Sequence, residues 1–230
     1  MRSFIDLHLI NCSDNYETLV STASRLGYSE VAINAPINNL KKIPEISIAS
    51  RIDIEPRTGS ELSNLLREAR EKYEIVAVKC PTKEVSRKAA KDSRVDILLF
   101  PDDLFVRRHN SLDSQEAVLA AETGCAYEIN ATEIISIEKN RFSRLIQIIE
   151  REINVAHRFE IPVILSSGAI SPLQQREPKS LMALTTLLDV SEEEAKKMIS
   201  TTPAKLLNKN RKKLSTDFSS HEVRKKKNAG

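Results

Sequence analysis

At 230 residues, 40% hydrophobic and 29% charged, the chain suits one large domain or two small ones, and no run approaches the ~18 consecutive apolar residues of a membrane-spanning helix. The net charge of +3 is unevenly placed: eight of the 35 basic residues but only two of the 32 acidic ones lie after Asn208, leaving 27 against 30 in residues 1–208. Three widely separated cysteines (Cys12, Cys80, Cys125) exclude a disulfide framework and match no zinc spacing, and the acid and histidine in Phe4-Ile5-Asp6-Leu7-His8 exclude a secretory signal, so a cytoplasmic protein away from membranes is expected.

Short β-branched runs alternate with helical patterns along the chain. Residues 4–9 read as a strand, and residues 16–26 as a helix stopped by Gly27. Strands follow at 30–34, ended by Ala35-Pro36, and at 46–54, ended by Pro56. Thr58-Gly59-Ser60-Glu61 is a capping box opening a helix to about residue 72. A strand at 75–79 and a helix at 83–91 come next, then a strand at 97–100 and a loop over 101–114. A helix at 114–122, ended by Gly124, leads to a strand at 126–130. Residues 140–157 form a long helix with Phe142, Leu145, Ile146, Ile149, Ile153 and Ala156 on one stripe. The last strand is 163–166. Helices at 179–188 and 192–199 follow, the latter capped by Ser191, and Thr202-Pro203 starts a short helix ending at 207. Residues 209–230 read as a separate basic, flexible tail that either meets phosphate or serves only as solubilising charge.

Seven strands, each followed by a helix-length connection, predict a (β/α) barrel-like fold, with an open doubly wound sheet as the alternative. Continuous apolar runs such as Ile97-Leu98-Leu99-Phe100 suit a parallel sheet buried on both faces. Five glycines in the chain supply no phosphate-cradling loop.

In such a barrel, chemistry sits at the C-terminal strand tips. Asp6 and His8 are two apart and so share a face, as do Arg51, Asp53 and Glu55. One reading is a metal-dependent phosphoesterase with Asp6, His8, Asp53 and Glu128 as ligands. It is short of imidazoles, because only His8 of the four histidines sits on a strand. The bland reading is an ion-paired plug of Asp6, Arg51, Asp53 and Glu55. Lys79 at the tip of its strand could form a Schiff base if desolvated. Ser166 and Ser167 lack a nucleophile elbow. Arg87, Lys88, Arg94, Arg107, Arg108, Arg141, Arg144, Arg176 and Lys179 sit mostly in loops or first helical turns, where a guanidinium fork suits phosphate, or where they are ordinary surface charge paired with acids such as Asp92, Asp96, Asp102, Asp103 and Glu177.

Several stretches, in order, resemble the barrel-shaped protein subunit of archaeal and eukaryotic ribonuclease P. They are Phe4-Ile5-Asp6-Leu7-His8, Arg87-Lys88-Ala89-Ala90-Lys91-Asp92-Ser93-Arg94-Val95-Asp96-Ile97-Leu98, Ala126-Tyr127-Glu128-Ile129-Asn130, Ser166-Ser167-Gly168-Ala169, Arg176-Glu177-Pro178-Lys179, and Thr202-Pro203-Ala204-Lys205-Leu206-Leu207. Ser180 replaces the family's usual Asp, and the loop at 101–114 lacks its Arg…Ser-Gly pattern. The resemblance implies a scaffold shared with metal-dependent phosphoesterases of the PHP type, without most of their histidines and without an active site of its own. It implies a subunit that supports a catalytic RNA in removing the 5′ leader of precursor tRNA. No cofactor would be bound by the protein, and magnesium would sit on the RNA. Expected partners are the ribonuclease P RNA, precursor tRNA through the complex, and a smaller protein subunit in a heterodimer or heterotetramer. Arg87, Lys88, Arg107, Arg108, Ser166, Ser167, Arg176, Lys179, Lys212 and Lys213 become the expected RNA contacts.

Overall fold

The computed structural model describes residues 3–12 and 15–214. Its elements run β1 (Ile5–Leu9), α1 (Tyr16–Arg25), β2 (Glu30–Ile33), β3 (Ser47–Ile54), α2 (Gly59–Ala69), β4 (Ile75–Lys79), α3 (Lys83–Lys91), β5 (Ile97–Leu99), α4 (Leu104–His109), α5 (Ser114–Thr123), β6 (Ala126–Asn130), α6 (Ala131–Ser136), α7 (Lys139–Arg158), β7 (Val163–Ser166), α8 (Pro178–Leu184), α9 (Glu192–Met198) and α10 (Thr201–Leu214). The strands lie in sheet order β1 to β7 and every neighbouring pair is parallel, so the expected barrel-like fold stands. The barrel is nearly closed. Its edges meet at the top, where Leu9 bridges Ala169 and the Ile10 N–H donates to Ala169 O at 2.9 Å. Lower down, the Ile5 N–H donates to Ile199 O at 2.9 Å, so the turn between α9 and α10 fills the seam.

Most strand positions are apolar because the sheet is covered on both faces. Val31, Ile33, Val76, Val78, Leu98, Ile129 and Leu165 point outward beneath the helices. Ile5, Leu7, Ala32, Ala49, Ile75, Ala77, Ile97, Leu99, Ala126 and Ile164 fill the barrel interior. Alternating alanine with larger residues fits side chains into a narrow tube. The capping box at α2 forms only by half. Thr58 Oγ1 accepts from the Glu61 N–H at 3.2 Å, but the Glu61 carboxylate accepts from the Arg57 N–H at 2.8 Å instead of from Thr58.

Two helices escape the sequence reading. The expected loop at 101–114 contains α4, capped by Asp103, which accepts from the N–H groups of Phe105 and Val106. Helix α6 starts directly from the end of β6. Each spans six residues, too few for a periodic pattern to register.

The end of the chain corrects the domain boundary expected at residue 208. Helix α10 continues to Leu214, and Leu206 and Leu207 enter the interior cluster with Ile5 and Leu7. Lys209 Nζ donates to Thr123 O at 3.2 Å and Asn210 Nδ2 to Glu74 O at 2.9 Å. Arg211 pairs with Glu74 at 2.7 Å and with Glu30 at 2.6 Å. These partners sit at the starts of β6, β4 and β2, so α10 stoppers the N-terminal end of the barrel. Lys209 and Arg211 are structural, and the remainder of the expected tail, residues 215–230, lies outside the described residues. Among the described residues no helix is long and apolar enough to cross a membrane.

Leu207 is the test of the stopper, because its side chain is buried in the interior cluster. Leu207→Ala is expected to lower unfolding free energy by about 2–5 kcal/mol in urea titrations, the range for an aliphatic truncation that leaves a cavity. The exposed neighbour Lys205→Ala is expected to change it by less than about 0.5 kcal/mol.

Candidate functional site

A cleft of about 710 Å³ opens over the C-terminal strand tips, with His8, Asp53, Lys79, Asn130 and Gln174 in its walls. At its floor lies the fully buried side chain of Arg51. Alternation along β3 sends Arg51 and Asp53 to the same inner face. The Arg51 fork donates from Nη1 to Glu128 Oε1 at 2.9 Å and from Nη2 to Glu128 Oε2 at 2.5 Å. Nε donates to Asp53 Oδ1 at 2.7 Å, and Nη1 also reaches Leu7 O at 2.6 Å. That carbonyl is available because the β1–β2 register shifts between Asp6 and Leu9.

His8 completes the cluster. Its Nε2 lies 2.7 Å from Asp53 Oδ2, and its Nδ1 lies 2.9 Å from Asn130 Oδ1. Burial favours a protonated Asp53, yet the Arg51 and His8 charges beside it hold its carboxyl far below the usual carboxylate range. Burial and Arg51 push His8 down, but Asp53 and Glu128 outweigh them and raise it above an ordinary imidazole. Asp6 is not part of this network. The register shift turns it toward β7, where Oδ1 accepts from the N–H of Ser167 at 3.0 Å and of His8 at 3.2 Å, and burial raises its pKa.

These residues do not fit a metal ion. A divalent cation needs free carboxylate and imidazole lone pairs. Arg51 takes both oxygens of Glu128 and one of Asp53, Asp6 faces away, His8 Nδ1 is on Asn130, and His8 Nε2, though without a hydrogen bond of good geometry, lies against the Asp53 carboxylate at 2.7 Å. Among the described residues no group of three or more His, Cys, Asp or Glu is arranged to hold one. The guanidinium supplies in place the positive charge that the carboxylates require. The four-ligand reading of Asp6, His8, Asp53 and Glu128 is therefore withdrawn. The ion-paired plug forms around Arg51 and Asp53 but omits Glu55, which stands exposed and pairs with Lys79 at the rim. Lys79 is thus solvated, without the desolvation that Schiff-base chemistry needs.

The expected RNA contacts divide. Arg107 is only 1% exposed. It donates to Glu152 Oε2 at 2.7 Å, to the Tyr127 hydroxyl at 3.0 Å and to Glu133, fastening α4 to α7, β6 and α6. Burial raises Glu133 to about 7 despite that pairing. Ser166 is buried and donates to Glu128, and Ser167 is buried with its hydroxyl on His8 O. Arg107, Ser166 and Ser167 therefore cannot reach RNA across the surface. Arg87, Lys88, Arg108, Lys179 and Lys212 are exposed, and Lys213 is half-buried. Arg176 is half-buried, with its guanidinium on the carbonyls of Leu173 and Gln175, both at 2.8 Å. Lys212 and Lys213 lie on the last turn of α10, at the end of the barrel opposite the mouth. The sequence reading missed Glu152, whose signal was an acid between Ile149 and Ile153 on the buried stripe of α7.

Replacing Arg51 with Met leaves Glu128 and Asp53 buried without their cation, and unfolding free energy is expected to fall by about 3–5 kcal/mol at neutral pH. The stability that Asp53 lends through its depressed pKa is present above its unfolded value and lost as pH falls through the folded one. Urea titrations of both proteins across pH should therefore show a deficit that shrinks toward acid. A constant deficit would refute the electrostatic account.

The family model described as RNase P subunit p30 matches residues 3–215. Ribonuclease P protein component 3 of Methanosarcina mazei is 27% identical over 205 residues, 85% of this chain and 83% of that protein. Its counterpart in Methanococcoides burtonii is 25% identical over 219 residues, 91% of this chain and 89% of that protein. A chain in the cryo-EM structure of archaeal ribonuclease P with mature tRNA superposes with a TM-score of 0.77 at 21% identity, covering 91% of this chain and 92% of that one. Histidinol phosphate phosphatase of Lactococcus lactis, solved with zinc, L-histidinol and phosphate, gives a TM-score of 0.52 at 14% identity, covering 81% and 93%. The structural likenesses establish a barrel scaffold shared with metallohydrolases, and the family match spans the whole of it. This chain belongs to the RNase P subunit p30 family.

Proposed function

We propose that the chain is a protein subunit of ribonuclease P that supports the catalytic RNA in removing the 5′ leader from precursor tRNA. The observation that carries this reading is the family match across residues 3–215, which takes in the entire barrel and its stopper helix. The Arg51 plug agrees with it: the carboxylates at the mouth are paired with a guanidinium of the chain itself, and on this reading the RNA carries the chemistry. The magnesium ions of the reaction belong to the RNA. Precursor tRNA is met through the complex, in which a smaller protein subunit pairs with this one as a heterodimer or heterotetramer.

The physical task left to the chain is neutralising and positioning phosphates. Arg87 and Lys88 on α3, Arg108 on α4 and Lys179 on α8 are exposed and able to meet them. Such contacts fix geometry without reading base identity. Lys212 and Lys213 extend the candidate surface to the stoppered end. Three free cysteines fit a reducing, cytoplasmic setting.

Reconstitution tests this reading. Adding the chain to ribonuclease P RNA and the other protein subunits in magnesium is expected to raise the rate of leader removal, while the chain alone cleaves nothing. Its RNA affinity should drop steeply between about 50 and 200 mM salt, because each neutralised phosphate releases counterions. Salt-independent affinity, or full activity without the chain, would sink the proposal.

A further inference from the structure

The exposed arginines are not equivalent. Most guanidinium groups of the barrel are engaged: Arg70 with Asp96, Arg94 with Asp92, Arg141 with Glu138, and Arg211 with Glu30 and Glu74. Arg108 and Arg144 make no hydrogen bond or ion pair among the described residues. Arg151 donates only to Gln147 O of its own helix, at 3.3 Å. These three line one groove between α4 and α7, whose remaining wall is Gln147, Ile148 and Glu150. Arg144, Gln147, Ile148 and Arg151 occupy one stripe of α7 at helical spacing, and Arg108 faces them from α4. Three cations thus share the groove with a single acid.

The buried network explains why the cations stay together. Arg107 reaches inward to Glu152 of α7, Glu133 of α6 and Tyr127 of β6. Its neighbour Arg108 leaves the helix on the outer side. The inward arginine holds α4 against α7, and the outward one is thereby fixed opposite Arg144 and Arg151. On the same short helix, one turn from Arg108, Phe105 stands 77% exposed with its ring edge-on to His109 at 5.8 Å. An aromatic face beside arginines suits a nucleotide, whose base can stack while its phosphate is neutralised. An acidic peptide has no use for it.

We infer that the groove between α4 and α7 binds the sugar–phosphate backbone of an RNA strand, with Arg108, Arg144 and Arg151 as the phosphate contacts. This rests on the ribonuclease P reading and names the surface that the reading leaves open. Neither Arg108 nor Arg144 supports the fold, so R108A/R144A should melt with the wild-type Tm. The probe is ribonuclease P RNA, titrated at several salt concentrations with the wild-type chain, R108A/R144A and R67A. Arg67, exposed on α2 and likewise without a partner among the described residues, is the control outside the groove.

R108A/R144A is expected to bind roughly tenfold more weakly near physiological salt. The slope of log affinity against log salt should become shallower by about 1.4–1.8, the loss of two phosphate contacts. R67A should keep the wild-type slope. If R108A/R144A keeps the slope and affinity of R67A, the groove assignment is overturned while the subunit reading stands. If it does so and also loses retention on poly-L-glutamate that R67A keeps, the groove belongs to an acidic peptide, which overturns the assignment equally. If the wild-type chain itself shows no salt-dependent binding to this RNA, the subunit reading has failed first.

Discussion

The barrel is organised around one buried guanidinium. Arg51 donates to a carbonyl on β1, a carboxylate on β3 and a carboxylate on β6, strands that are not all neighbours in the sheet. A nearly closed barrel of seven strands has an apolar tube below and a polar mouth above. At that boundary the desolvated carboxylates must find a cation or take up protons. Arg51 settles the matter within the chain. His8 and Asn130 finish the hydrogen bonding on the cleft side, and Ser166 does so on the β7 side. A distant structural relative with a similar barrel is a histidinol phosphate phosphatase solved with zinc and phosphate. Here the charge is covalently part of the fold, so the mouth is a structural keystone.

Arginine therefore serves two opposite ends in this molecule. Arg51 and Arg107 are buried with carboxylates and specify which elements meet. Arg108 and Arg144 are exposed, without a partner among the described residues. A body with a slight acidic excess can still present concentrated positive charge, because the acids are consumed internally while selected cations are left over. The local field, and not the net charge, governs how such a surface meets a polyanion.

Much of the fold was legible because strands buried on both faces are written as unbroken apolar runs. The segments at 75–79, 83–91 and 163–166 fall where the pattern put them. The pairing of Arg51 with Asp53 follows from a period of two, but Glu128 as third member does not, since no spacing links β3 to β6. Asp6 and His8 were read as one face, and a register shift in β1 separated them. Arg107 and Arg108 are chemically identical neighbours. Only the rotation of a six-residue helix with no periodic signature decides which one is buried. Residues 208–214 have the composition of a tail because they are rich in lysine and arginine. What orders them is a set of acids and carbonyls at the far ends of β2, β4 and β6, which no local pattern announces.

That ordering has a consequence for how the protein is made. The first strand takes its lower edge partner from Ile199, and its inward leucine shares a cluster with Leu206 and Leu207. Chain leaving the ribosome can form successive strand–helix units early, since each strand pairs with the one before it. The tube they build keeps an open apolar floor until α10 arrives. Closing it requires contacts of the longest sequence separation in the molecule, the kind that slows folding most. A polypeptide stalled or clipped shortly before α10 would thus expose a greasy opening at one end, which is the surface that chaperones and proteases recognise.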